Sequence, residues 1–263
     1  MIAYINRRVL LAVFAGALAA TGPIEVLAQS LDWAEESAGY VLADALMPYA
    51  KRDYGRALAL LTPLAEKGNA VAQLKLGMIF SRGKTGSPDH VAALGWFTKA
   101  AEQGQVEAQF ELGRIYRDGL GTRVDGNAAV SWLERAAAKD TPHALNALGE
   151  LYLGHQSVPR DFAVARSWFL RGAQAGNSPS MYNLGIIYAL GHGVAQDEIE
   201  ALKWLALAAD TGIGEDRDKA LRARSRLAKR LTPVEVSWAA SRVEDWTRAH
   251  LLPMSVLASA RKP

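Results

Sequence analysis

The sequence predicts an all-α solenoid of stacked antiparallel helix pairs, and three observations predict it. Leu-Gly followed by an aromatic recurs as Leu76-Gly77…Phe80, Leu112-Gly113…Tyr116, Leu148-Gly149…Tyr152 and Leu184-Gly185…Tyr188, at an interval of 36 residues. Tryptophan keeps the same beat at Trp96, Trp132, Trp168 and Trp204, beside an aspartate column (Asp53, Asp89, Asp125, Asp161, Asp197) and an alanine column (Ala57, Ala93, Ala129, Ala165, Ala201). Within each period the apolar residues fall at helical spacing in two stretches. A fixed period of this size marks a repeat array in which each unit buries its apolar face only against its neighbours.

Residues 1–28 read as a secretory leader. Arg7 and Arg8 form a basic start, Val9 to Ala20 an apolar run of twelve, and Val26-Leu27-Ala28 a cleavage site before Gln29. The run is short for a membrane span, and the arginine pair is a weak match to a twin-arginine signal. The expected product is an exported protein, periplasmic or secreted. Removing the leader takes away Arg7, Arg8 and Glu25, a net +1, and leaves +2 of the chain's +3. So small a charge gives no support for nucleic-acid binding. The chain has no cysteine, which excludes disulfides, thiolate metal sites and cysteine nucleophiles.

Residues 29–69 form an N-terminal segment. "KRDYGRALALLTPLAEKG" at 51–68 reads as the second helix of a pair, and 38–50 as its divergent first helix. Residues 70–213 hold four full repeats. In the first helix of the second of these, Ala108, Leu112, Ile115 and Tyr116 make one apolar stripe. In its second helix Asp125, Ala129, Trp132, Leu133, Ala136 and Ala137 make another, with the aspartate where an N-cap belongs. Asp197 and Glu200 have the spacing of a capping box. Gly68, Gly104, Gly176 and Gly212, with Asp140 in the same column, are expected to be left-handed helix terminators. The small columns around Gly113 and Ala136-Ala137 let helices approach, and Trp and Tyr fill the space between layers. Residues 214–263 lose the period. Helices over 215–231 and 233–247 are expected to cap the array, with Trp238 and Trp246 covering the last repeat.

"AQFELGRIYRDGLGTRVDGNAAVSWLERAAAKD" and its companions resemble Sel-one-like repeats, relatives of the tetratricopeptide repeat. The shared pattern is an alanine, Leu-Gly-x-x-Tyr, Gly-x-Gly-Val, Asp, Ala, Trp and an Ala-Ala pair. The resemblance implies a right-handed α/α superhelical solenoid and a role in protein–protein interaction. Adaptor subunits, periplasmic regulators of signalling and envelope polysaccharide production, and secreted host-interaction proteins all occur among such proteins. The third repeat departs from the pattern, with His155 and Ser157 at the loop's glycine positions in "LGHQSVPRD"; the first loop, "SRGKTGSPD", is also irregular.

The loop in "LGRIYRDGLGTRVDG" looks like a phosphate cradle, but Gly119 and Gly121 follow a helix and recur as punctuation, so no phosphate site is assigned. The aspartate column reads as N-caps rather than acid/base pairs. His90, His143, His155, His192 and His250 lack metal-ligand spacing, although His155 and His192 lie in loops of adjacent repeats where a shared ion is conceivable. No Gly-x-Ser-x-Gly elbow appears. The sequence therefore assigns no catalytic residue, no cofactor and no metal. The alternative is an enzyme or binding protein for cell-wall peptide or β-lactam ligands, to which some relatives are linked; those are cysteine-rich and this chain is not.

Two surfaces are left. Repeat positions that vary form a stripe along the first helices, expected to line the concave face that binds a protein or peptide. Its candidate partner-binding members are Lys75, Met78, Arg82, Glu107, Glu111, Arg114, Asp118, His143, Glu150, Asn183 and Ile186. The second surface is "RDKALRARSRLAKR" at 217–230, seven basic residues on an amphipathic helix, where weak membrane-surface contact is conceivable.

Overall fold

Asp89, Asp125, Asp161 and Asp197 set the repeat geometry through two bonds each. The Asp125 carboxylate accepts from the Ala128 N–H at 2.9 Å, and Asp89, Asp161 and Asp197 cap their helices in the same way. Each such cap is worth about 1 kcal/mol. The backbone N–H of the same aspartate donates to the carbonyl of the aromatic nine residues earlier: Asp89 to Phe80, Asp125 to Tyr116, Asp161 to Tyr152, Asp197 to Tyr188. One residue thus ends the inter-helix loop and starts the next helix.

The computed structural model describes residues 41–250, all-helical with no strand among them. The expected leader at 1–28 lies outside these residues. The chain divides at Lys67/Gly68 into two units. In the first, α1 (residues 41–50) turns into α2 (Tyr54–Glu66) through Arg52 at φ 63°, and Asp53 caps α2. Ala45, Ala57, Leu61 and Ala65 are buried there.

The second unit holds four helix pairs: α3 (Ala70–Ser81) with α4 (His90–Glu102), α5 (Val106–Asp118) with α6 (Gly126–Ala137), α7 (Pro142–Gly154) with α8 (Phe162–Gln174), and α9 (Ser178–Leu190) with α10 (Glu198–Thr211). Each second helix also packs on the next first helix, and first helices approach one another directly at α3–α5 and α7–α9. The array ends in α11 (Gly214–Ala228) and α12 (Pro233–His250), both lying on α10.

The Leu-Gly column is where the two helices of a pair touch. A Cβ on Gly77, Gly113, Gly149 or Gly185 would sit 2.4–2.7 Å from Phe97, Leu133, Phe169 or Leu205. These residues, each one place after the tryptophan, fill the core. Three of the tryptophans do not: Trp96, Trp132 and Trp168 are half-buried, each under a cation three residues on (Lys99, Arg135, Arg171). Trp204 alone of the column is fully buried, at 2% exposure.

Three expectations are corrected. Gly68, Gly104, Gly176 and Asp140 do adopt positive φ, but Gly212 is extended at φ −72°. There α11 begins two residues later, and the Ala208 carbonyl that ends α10 also accepts from the Ser178 hydroxyl. The capping box at Asp197 forms only in half. The Asp197 N–H is already given to Tyr188, so Glu200 turns to Lys203 and Arg242 instead. A reciprocal box occurs unannounced at Thr232–Glu235, where the Thr232 N–H donates to Glu235 Oε2 at 2.8 Å and the Glu235 N–H to Thr232 Oγ1 at 3.3 Å. Finally, Trp246 packs edge-on against Trp204 at 4.6 Å, whereas Trp238 is 56% exposed and is not among the residues packed on the last repeat's core.

Candidate functional site

Some of the varying positions of the first helices join other polar residues in a chain of contacts across α5, α7 and α9. On α5, Arg114 Nη1 donates to Glu111 Oε2 at 3.1 Å. Arg117 grips Asp118 with two bonds, of 2.7 and 3.0 Å, and reaches Glu150 on α7 at 3.7 Å. Glu150 accepts from Asn146 Nδ2 at 2.8 Å. Asn146 Oδ1 in turn accepts from Asn183 Nδ2 at 3.2 Å and the Ser180 hydroxyl at 3.3 Å, both on α9.

These contacts fix charges as well as positions. The Arg117 hydrogen bonds hold the Asp118 carboxyl below the usual carboxylate range, assisted by the charges of Arg117, Arg114 and His155. Arg117 is raised in turn, first by its bond to Asp118. Beside this chain lies a cleft of about 190 Å³ bounded by Glu150, Pro179, Tyr182 and Asn183, and closed by Asp216 and Lys219 of α11.

Of the candidates, Glu111, Arg114, Asp118, Glu150 and Asn183 belong to this region. Glu107 and His143 are exposed on α5 and α7, Arg82 is exposed at the end of α3, and Lys75 and Ile186 are half-buried. Met78 is the exception: at 4% exposure it packs inside rather than facing solvent. The stripe drifts inward there because α3 carries apolar residues on most of its faces, with Leu74, Leu76 and Ile79 buried around Met78.

Sequence reasoning missed Arg117 and Asn146, the two residues that link the helices. A signal existed for Asn146, the only amide in the column Leu74, Phe110, Asn146, Tyr182. Asp216 and Lys219 lie past the last repeat, where the period no longer guides the reading.

The loop histidines are engaged locally. His155 Nδ1 lies 2.8 Å from the Ser157 hydroxyl, and His192 stacks on Phe162 at 4.6 Å. Among the described residues no group of three or more His, Cys, Asp or Glu has the arrangement of a metal site.

The Sel1 repeat profile matches residues 31–69, 70–105, 106–140, 142–177 and 178–213. A Sel1 repeat protein from Oxalobacter formigenes has a similar crystal structure, with a TM-score of 0.59 and 26% identity over 73% of this chain and 86% of that one. A protective antigen of uropathogenic Escherichia coli with an SLR fold gives a TM-score of 0.48 at 25% identity, over 85% of this chain and 57% of its own. For a Sel1 repeat protein of Klebsiella pneumoniae the values are 0.47 and 21%, over 70% and 89%. No curated protein matches the chain.

Proposed function

The chain belongs to the Sel1 repeat family, and from that premise we propose that it is an exported, non-catalytic scaffold that holds a protein or peptide partner on its first helices. Proteins of this family are generally protein–protein interaction scaffolds. The periplasm is the compartment that the Arg7-Arg8 start and the apolar run from Val9 to Ala20 support, and an adaptor or regulator the role.

The observation that carries the reading is the chain from Arg117 to Asn183 beside the 190 Å³ cleft. Its donors and acceptors are fixed before a partner arrives, so recognition there orders little. A partner must match both signs, because Arg114 stands next to Glu111, Arg117 next to Glu150 and Lys219 next to Asp216. Crosslinking and pull-down from periplasm, comparing wild type with Arg114→Glu and Asn183→Asp, tests it. The expected result is loss of the same partners from both variants, with helicity unchanged. Equal capture by all three forms removes the surface from consideration.

One observation favours the enzymatic alternative on cell-wall peptide or β-lactam ligands, the 2.8 Å contact between the Ser157 hydroxyl and His155. We read it as loop structure, since the two residues are two apart and stand where neighbouring loops have glycines. Turnover of muropeptides or a β-lactam that disappears in Ser157→Ala would reverse that assignment.

A weaker contact with anionic headgroups is proposed for α11. Arg217, Arg222, Arg224 and Arg226 there, and Lys229 at its C-cap, have no acidic partner among the described residues. Co-sedimentation with phosphatidylglycerol vesicles at low salt, lost at high salt, is expected; absence of pelleting at low salt rules it out.

A further inference from the structure

We infer a second binding site, on the second-helix side of the array, for a guanidinium or ammonium group carried on an aliphatic stem. The loop between α7 and α8, the one without repeat glycines, touches α6 at its first residue through Ser157 and beyond that contact leaves a groove of about 420 Å³. Val130 of α6 and Val158 of the loop, both half-buried and backed by the core of the repeat, give it an apolar lining. Tyr152, packed on the next repeat's core, supplies a phenol. The groove thus combines an apolar floor with converging polar groups, the combination by which ligand sites fix a bound group.

The polar groups are unbalanced toward negative charge. Glu134 and Asp161 face the groove, against the single guanidinium of Arg160. Glu134 has no ion pair among the described residues. Asp161 uses Oδ1 to cap α8 and leaves Oδ2 without a bond. Arg160 lies over the Phe162 ring at 5.6 Å rather than on either carboxylate. Both carboxylates act on the same phenol: the Tyr152 hydroxyl is pushed above its usual range by burial first, then by the charges of Glu134 and Asp161. Glu134 is also particular to this repeat, since its column reads Thr98, Glu134, Leu170. A cation placed between Glu134 and Asp161 would answer both charges while its stem lay on Val130 and Val158. A basic side chain of a partner peptide has this form, and so does a free alkylguanidine.

The test uses the isotope-labelled full chain, titrated with acetyl-Leu-Arg-Leu-amide, its citrulline counterpart and agmatine, and read by amide chemical shifts. The arginine peptide should move the resonances of Val130, Tyr152 and Val158, with the citrulline peptide binding at least about fivefold more weakly. Glu134→Gln, an exposed change that leaves the helix intact by circular dichroism, should weaken the arginine peptide by a similar factor. Agmatine binding as tightly as the peptide assigns the groove to free amines, and tighter peptide binding assigns it to a partner's side chain. Equal affinity for arginine and citrulline peptides, an unaffected Glu134→Gln, or shifts spread without focus overturns the site. Partner capture on the first-helix face is a separate readout, so either proposal can fail alone.

Discussion

In the loops ahead of α6, α8 and α10, one residue presses on the start of the second helix of the preceding repeat. Gly121 does so on His90, where a Cβ would meet backbone carbon at 2.6 Å, and Gly193 on Phe162, also at 2.6 Å. In the third repeat the roles are exchanged. Ser157 presses on Gly126, and a Cβ there would stand 2.0 Å from the Ser157 carbonyl oxygen. One partner of each contact must be small, but which one is free. Gly126→Ala is accordingly expected to cost about 1–3 kcal/mol in urea unfolding, with part of the loss recovered when Ser157→Gly is added. Gly95→Ala should instead stabilise by about 0.5–1 kcal/mol, since it removes helix-interior glycine where nothing lies within 4 Å. Destabilisation by both, or by neither, would contradict this account of the glycines. His155 and Ser157 were visible in the sequence as departures from the beat. Gly126 was not, because its column (Tyr54, His90, Gly126, Phe162, Glu198) looks freely variable until the contact with the next repeat is known.

At the scale of helices, the aspartate caps were legible because an N-cap is a local device read from a few residues. The capping box at Asp197 was misread because the competing bond, from its N–H to Tyr188, depends on how the loop closes. The charge of Asp197 does more than cap. Burial pushes its carboxyl up, but the Glu200 N–H and the Arg242 side chain outweigh this and hold it below the usual range. Arg242, at 3.1 Å from Asp197 and 3.0 Å from Glu200, ties α12 to the start of α10. Asp118 is depressed likewise, by Arg117. For a depressed carboxyl the stabilisation is complete above its unfolded pKa, about 4, and is lost as pH falls from there through the folded value. Chemical denaturation between pH 5 and 2 should therefore show a shallower acid limb in Asp118→Asn and Asp197→Asn than in wild type. Asparagine also caps well, so the second variant separates charge from capping. An acid limb unchanged in both variants would show that these pairs carry no linked stability.

For the repeat array as a whole, the beat of 36 residues was enough to infer stacked helix pairs, because every unit repeats the same burial problem. What lay beyond the beat was not: how α12 docks on α10, which of two tryptophans does the covering, and the entry of Asp216 and Lys219 into the cleft. A terminal cap solves a problem that arises once, so it leaves no column to compare. Its task is set by Trp204, the fully buried member of its column, which Trp246 covers with Lys203 over both rings at 4.1 and 5.4 Å. Neither indole N–H has a hydrogen-bond partner there. Apolar coverage and ring contacts must therefore exceed a polar cost of about 1–3 kcal/mol for each such group. A chain ending at residue 213 should lose this coverage first. Its tryptophan emission should shift to the red, its thermal transition should broaden, and size-exclusion chromatography should show self-association through the bared α10. Trp246→Ala should reproduce the emission shift with less association, because α11 still lies on α10, while Trp238→Ala should change neither. If Trp238→Ala proves as damaging as Trp246→Ala, or the truncated chain melts like wild type, then the last two helices are not the seal that Trp204 requires.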